Sequence, residues 1–146
     1  MGAMVRYVRW RKRPRTEIMH FDDVQPDTVR KVLDKAIAEK RKFLPEPEAY
    51  EILGAYGLPI SRTRLVRDEK EAIAAAAEIG FPVVMKIVSP DIVHKVDVGG
   101  VILNLSSESD VSHAYSELMG RVKAAKQSAK IWGVLIQESQ NYQSLA

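Results

Sequence analysis

Val83-Val84-Met85-Lys86-Ile87-Val88-Ser89-Pro90-Asp91-Ile92-Val93-His94-Lys95-Val96-Asp97-Val98-Gly99-Gly100-Val101-Ile102-Leu103-Asn104-Leu105 sets two apolar, β-branched runs around a polar loop. β-branched residues fit strands, and paired glycines mark backbone that turns or is closely approached. A loop with His94, Lys95, Asp91 and Asp97 between two strands is a scaffold presenting chemistry. Alternation puts Val83, Met85 and Ile87 on one face of the first strand and Val84, Lys86 and Val88 on the other. An ammonium between two valines needs a partner or water. Two readings stand for Lys86: a partly solvated sheet face, or a point charge aimed at a bound phosphate.

The loop admits similar alternatives. His94 is either an incidental surface residue or a nucleophile toward phosphorus, its ring oriented by Asp97 and its phosphate met by Lys95. Metal binding is the poorer reading, since no second histidine or cysteine stands nearby. Gly99-Gly100 makes a hairpin turn or bulge, or lets backbone amides approach phosphate oxygens. No GxxxxGK[ST], GxGxxG or GxSxG pattern occurs.

The rest of the chain reads as support. Its 146 residues suffice for one domain whose core needs no staples, and 46% hydrophobic with 28% charged residues is a globular composition. With no cysteine, neither disulfides nor cysteine-rich zinc sites exist, which permits a reducing cytoplasm, the expected location. No apolar run is long enough to span a bilayer, and the start lacks the apolar core of a secretory signal. The net charge of +3 is concentrated: residues 5–15 carry six bases (Arg6, Arg9, Arg11, Lys12, Arg13, Arg15) and no acid. Sixteen bases then face nineteen acids, so the remainder is net −3. Tyr7 and Trp10 interleave with these arginines, a pattern that suits nucleic acid or an anionic surface and weakly mimics a transit peptide. The acidic body favours a solvated linker, with no nucleic-acid or membrane partner.

Thr16 to Pro26 reads as a connector. A helix starts at Asp27 or Thr28, with an apolar stripe of Val29, Val32, Leu33, Ala36 and Ile37, and ends in Lys40-Arg41-Lys42. A second starts at Glu46-Pro47-Glu48, carries Ala49, Ile52, Leu53 and Tyr56, and stops at Gly57. Pro59 to Val66 reads as a strand. Asp68 and Glu71 form an acidic capping box for an alanine-rich helix closing at Gly80. After the central unit, Ser106-Ser107 caps a long helix with Val111, Ala114, Leu118, Met119 and Val122, and Ile131 to Gln137 is a last strand. The order helix–strand–helix–strand–strand–helix–strand is an α/β layer containing a hairpin, and not a doubly wound repeat.

The stretch from Lys86 to Val101 resembles the signature of the ATP-grasp subunit of ADP-forming acyl-CoA synthetases. Acetate–CoA ligases are the best known members, and the succinyl-CoA synthetase β subunit is a more distant relative. EPEAYEILGAYGLPIS is similar to that domain's opening helix and strand, DEKEAIAAAAEIGFPVV to its second helix entering the lysine strand, and WGVLIQE to the strand entering the hinge between lobes. The resemblance implies an α/β (α+β) N-terminal ATP-grasp lobe over 44–138, a sheet of about four strands with flanking helices. A basic arm and linker helix would occupy 1–43 and a divergent tail 139–146.

Roles follow from the same resemblance. Lys86 would contact nucleotide phosphate, Gln137 and Glu138 would lie at the adenine-binding hinge, and His94 would be a second phosphohistidine passing phosphate to ADP. Asp97, Gly99 and Gly100 would shape the phosphate site. ATP/ADP is the implied cofactor, with Mg2+ expected in the complete enzyme and its ligands in the second lobe. The implied partner is the CoA-binding half, on the same or a separate chain. Val96 departs from the Ser or Thr that usually follows His-Lys, removing a hydroxyl. Ser139 to Ala146 is short, polar and unlike the family's continuation, so the resemblance implies an incomplete, inactive form of an acid–thiol ligase. The alternatives are a non-catalytic nucleotide- or partner-binding module, and the ATP-grasp portion of a protein acetyltransferase fusion.

Overall fold

The computed structural model describes residues 2–12 and 21–139. Arg13 and Arg15 of the arm, residues 16–20 of the connector expected at 16–26, and the tail from residue 140 lie outside them. The arm forms a helix, α1 (Gly2–Arg11), in which Tyr7 stacks on Trp10 at 6.1 Å between ring centroids. After it come α2 (Pro26–Ala38), α3 (Glu46–Ala55), β1 (Thr63–Val66), α4 (Glu69–Ile79), β2 (Val83–Val88), a 3-10 turn (Val96–Val98), β3 (Val101–Leu105), α5 (Glu108–Ala125) and β4 (Gly133–Glu138).

Val134, Leu135 and Ile136 of β4 are all buried, the pattern of a strand covered on both faces and both edges. β4, though last in the chain, is accordingly interior: the order is β1-β4-β2-β3, and every pairing is antiparallel. The expected hairpin is β2–β3. Between the Val83–Leu105 and Met85–Ile102 pairs, β3 has two residues opposite one, a bulge with Asn104 left-handed at φ 59°.

Alternation in β2 holds as far as Ile87: Val83, Met85 and Ile87 are buried, while Val84 and Lys86 are partly open. The buried face meets Ala72, Ala75, Ala76 and Ile79 of α4 and Val111, Ala114, Leu118 and Val122 of α5 in one core. Alanines let α4 approach the sheet closely, which is why a helix with so little side-chain volume still closes it. Both expected caps form. Asp68 accepts from Glu71 N at 2.8 Å, and Ser107 accepts from Asp110 N at 3.1 Å. Glu71 reaches back to Arg67 N, one residue before the cap.

Several boundaries differ from expectation. β1 starts at Thr63 and not Pro59: the paired register with β4 begins at Thr63–Gln137, and only one backbone bond, from Glu138 N to Arg62 O at 2.9 Å, lies beyond it. β4 runs Gly133–Glu138. Gly133 is at φ 150°, and a Cβ there would lie 2.3 Å from Val66 O, so the strand enters through a position only glycine fills. α2 starts at Pro26 and buries only Val32 and Ala36 of its stripe, leaving Leu33 and Ile37 exposed. α3 turns its expected stripe partly outward: Leu53 and Tyr56 are exposed, and Ala55 and Glu48 are buried. The cause is an ionic contact with α2. Arg41 grips Glu48 in a fork of 2.6 and 3.0 Å, and Lys35 adds 3.2 Å.

Candidate nucleotide and phosphate site

Residues directly opposite on antiparallel strands share a face. Lys86 stands opposite Leu135 of β4 and Val101 of β3, and Val84 stands opposite Gln137. Lys86 and Gln137 therefore lie on successive rungs of one sheet face, the one turned away from α4 and α5. α3 reaches this face: Glu46 Oε1 is 3.7 Å from Lys86 Nζ. Tyr50, one turn on, has its phenol pushed up by burial and then by the Glu46 charge.

Two hollows meet at Lys86. One, of about 350 Å³, is lined by Ser61, Val84, Lys86, Leu103, Gln137 and Glu138 with Ser139. Val84 and Leu103 are its apolar part, and Gln137 Oε1 is a buried acceptor in it with no hydrogen-bond partner. An orphaned buried carbonyl calls for a donor, and a flat heterocycle with an exocyclic amine supplies one. Glu138 is held at the rim by Arg62, at 3.0 Å, and the hydrogen bonds from Arg62 lower its carboxyl pKa. The other hollow, of about 340 Å³, is lined by Glu46, Lys86, His94, Lys95, Asp97 and Val101 among others.

The loop carrying His94 is fixed at its base. Ser89, buried, donates to Lys130 O at 2.7 Å and accepts from Asp91 N at 3.1 Å, while Asp91 Oδ2 accepts from Lys130 N at 2.6 Å. At its other end Gly99 takes a left-handed φ of 63°, and Gly100 N donates to Lys95 O at 2.7 Å. Gly99 N donates to Val96 O at 3.0 Å. Both glycine amides are thus spent inside the loop, which corrects the reading in which they approach phosphate. Their part is to let the loop close. His94 and Asp97 are both exposed.

The structure brings Lys86, His94 and Asp97 to one hollow and Gln137 and Glu138 to its neighbour, with Lys86 shared. Sequence reasoning missed Tyr50 and assigned Glu46 only to the start of a helix. Their i, i+4 spacing on one helical face was the available signal.

Residues 35–145 match the family described as the ATP-grasp domain. The chain belongs to that family. It is 42% identical over 138 residues, 94% of its length, to the ADP-forming 4-hydroxybutyrate–CoA ligase of Nitrosopumilus maritimus, of which it spans 20%. It is 46% identical over 107 residues to the β subunit of the ADP-forming acetate–CoA ligase I of Pyrococcus furiosus, a match covering 73% of this chain and 46% of that one. The solved acetyl-coenzyme A synthetase 1 of Candidatus Korarchaeum cryptofilum, in complex with coenzyme A, Ca-AMPCP and HgCl+, superposes with a TM-score of 0.74 at 48% identity. That likeness covers 77% of this chain and 49% of the other. The chain thus spans about half the length of the β subunit it matches.

The side chains present fit a nucleotide: two lysines and a histidine at one hollow, an unpaired buried acceptor at the next. Among the described residues no group of three or more His, Cys, Asp or Glu side chains could hold a metal ion.

Proposed function

We propose that this ATP-grasp chain is the nucleotide-binding lobe of an ADP-forming acyl-CoA ligase and moves a phosphoryl group between ATP/ADP and His94. The observation that carries the reading is the convergence of Lys86, Lys95 and His94 on one hollow beside the Gln137 hollow. Lys86, on a rigid central strand, contacts phosphate. Gln137 and Glu138 hold the base, with Gln137 Oε1 accepting from its amine. A ring nitrogen of His94 takes phosphorus from a donor phosphohistidine as the donor's N–P bond breaks. The terminal oxygen of ADP then takes it from His94, giving ATP and free imidazole. The loop's fixed ends, at Ser89 and Gly100, limit how far His94 travels.

The partner in this reading is the CoA-binding half, on the same or a separate chain, and the β-subunit name of the Pyrococcus relative supports it. Phosphoryl transfer needs cations around the developing charge. The described residues offer lysines on one wall and no group of three or more metal-ligating side chains, so residues 2–139 alone are expected to bind nucleotide weakly and not to turn over.

The test is an NMR titration of the chain with ADP at millimolar concentration. Shifts at Lys86, Gln137 and Glu138 that vanish in Lys86→Ala are expected, and shifts elsewhere only would refute the site. For the relay, the chain is incubated with a donor subunit carrying radiolabelled phosphohistidine. Acid-labile label that persists in His94→Ala would remove His94 as acceptor.

A further inference from the structure

Glu46 puts its carboxylate between the two lysines of the proposed phosphate site: Oε1 is 3.7 Å from Lys86 Nζ and Oε2 is 3.1 Å from Lys95 Nζ. All three side chains are at least three-quarters buried, at 25%, 22% and 17% exposure, so water screens the pairing only in part. Yet the contact is incomplete. Glu46 Oε2 is buried, and its 3.1 Å contact with Lys95 Nζ is too bent to be a hydrogen bond. The carboxylate therefore offsets one of the two positive charges while leaving the lysine donors unspent. That arrangement suits a temporary partner better than a permanent one, because a structural ion pair at this depth is usually hydrogen-bonded. The contrast within the molecule is direct: Glu48, two residues on, takes a full fork from Arg41.

We infer that Glu46 is a built-in competitor for the anion site, a carboxylate that occupies the cations until a phosphate group displaces it from at least one of them. The inference rests on the phosphate reading of Lys86 and Lys95 and adds an affinity-setting residue to it. Glu46 lowers the affinity of the site for phosphate by the strength of the pairing it gives up. By linking α3 to Lys95, it also ties the loop beside His94 to the helix when no anion is held. Displacement frees the loop at the step when His94 must meet its phosphoryl donor.

Tripolyphosphate is the probe, titrated calorimetrically at low ionic strength into the full chain, Glu46→Gln, and Lys86→Ala combined with Lys95→Ala. Glu46→Gln keeps the shape and removes the charge. It is expected to bind roughly 5- to 10-fold tighter than the unsubstituted chain, a gain that shrinks as salt rises. Its melting temperature is expected to stay within a few degrees of the parent. A Glu46→Gln chain that binds no tighter, or one that only melts earlier, overturns the competitor role and makes Glu46 a structural pair. Binding that survives loss of both lysines undiminished instead overturns the phosphate reading. The two failures are thereby separable.

Discussion

At Gly100 the local requirement is space as well as freedom. A Cβ there would lie 2.6 Å from Ile87 Cγ2 and 3.0 Å from Lys95 O. Ile87 is fully buried in the core, so it cannot retreat, and Lys95 O already accepts from Gly100 N. Gly100→Ala should therefore cost about 2–3 kcal/mol in a urea unfolding experiment. It should also displace His94 and Lys95, seen as altered shifts confined to residues 94–101. Unchanged stability would mean the loop has slack that this packing denies. The glycine pair was legible in the sequence as a backbone demand, but its cause was not, since Ile87 meets it only through the register of β2 against β3. Lys86 shows the same division. Alternation identified its odd position, while its partner Glu46, forty residues earlier, depends on how α3 crosses the sheet.

Elements whose signals are local were legible in full. Caps at Asp68 and Ser107, the glycine stop at Gly80 and the β2–β3 hairpin all depend on residues a few positions apart. The placement of β4 between β1 and β2 was not, because no short-range pattern says which strands a distant strand will join. What joins the hairpin loop to the rest is likewise long-range: Ser89 and Asp91 latch it to Lys130, which precedes β4. Ser89 donates to one carbonyl and accepts from one amide while buried, so Ser89→Ala leaves two polar groups unpaired. The expected cost is about 1–3 kcal/mol. Hydrogen exchange should separate this from a general loss of stability, with amides of residues 90–95 and 129–131 accelerating before those of α4 and α5. Uniform acceleration across the sheet would count against a local latch.

For the molecule as a whole, the least predictable feature is that α2 is part of the folded unit. Its stripe pointed to burial without saying against what. The structure docks it on α3, where Gln25 N donates to Ala55 O at 2.8 Å, and places Lys35 and Arg41 within 5.4 and 5.1 Å of the Trp132 ring centroid. Glu48 is the centre of this contact. Burial opposes its ionisation, but the hydrogen bonds from Arg41 and Lys35 outweigh that and hold the carboxyl below its ordinary 4.5. A depressed folded value means the unfolded chain binds the proton first as pH falls. The contribution is complete above about 4.5, the ordinary value, and is lost as pH drops through the folded value. Arg41, raised by the same partner, stays charged throughout. Glu48→Gln should cost about 2 kcal/mol at neutral pH, because it takes the charge out of the fork and leaves Arg41 only Glu39, 2.7 Å from its Nε, as an ionic partner. The difference between the two proteins should narrow as acid protonates Glu48 in the parent chain. Thermal melts between pH 7 and pH 3 check both points. A constant gap across that range would place the acid-sensitive contact somewhere other than the α2–α3 junction.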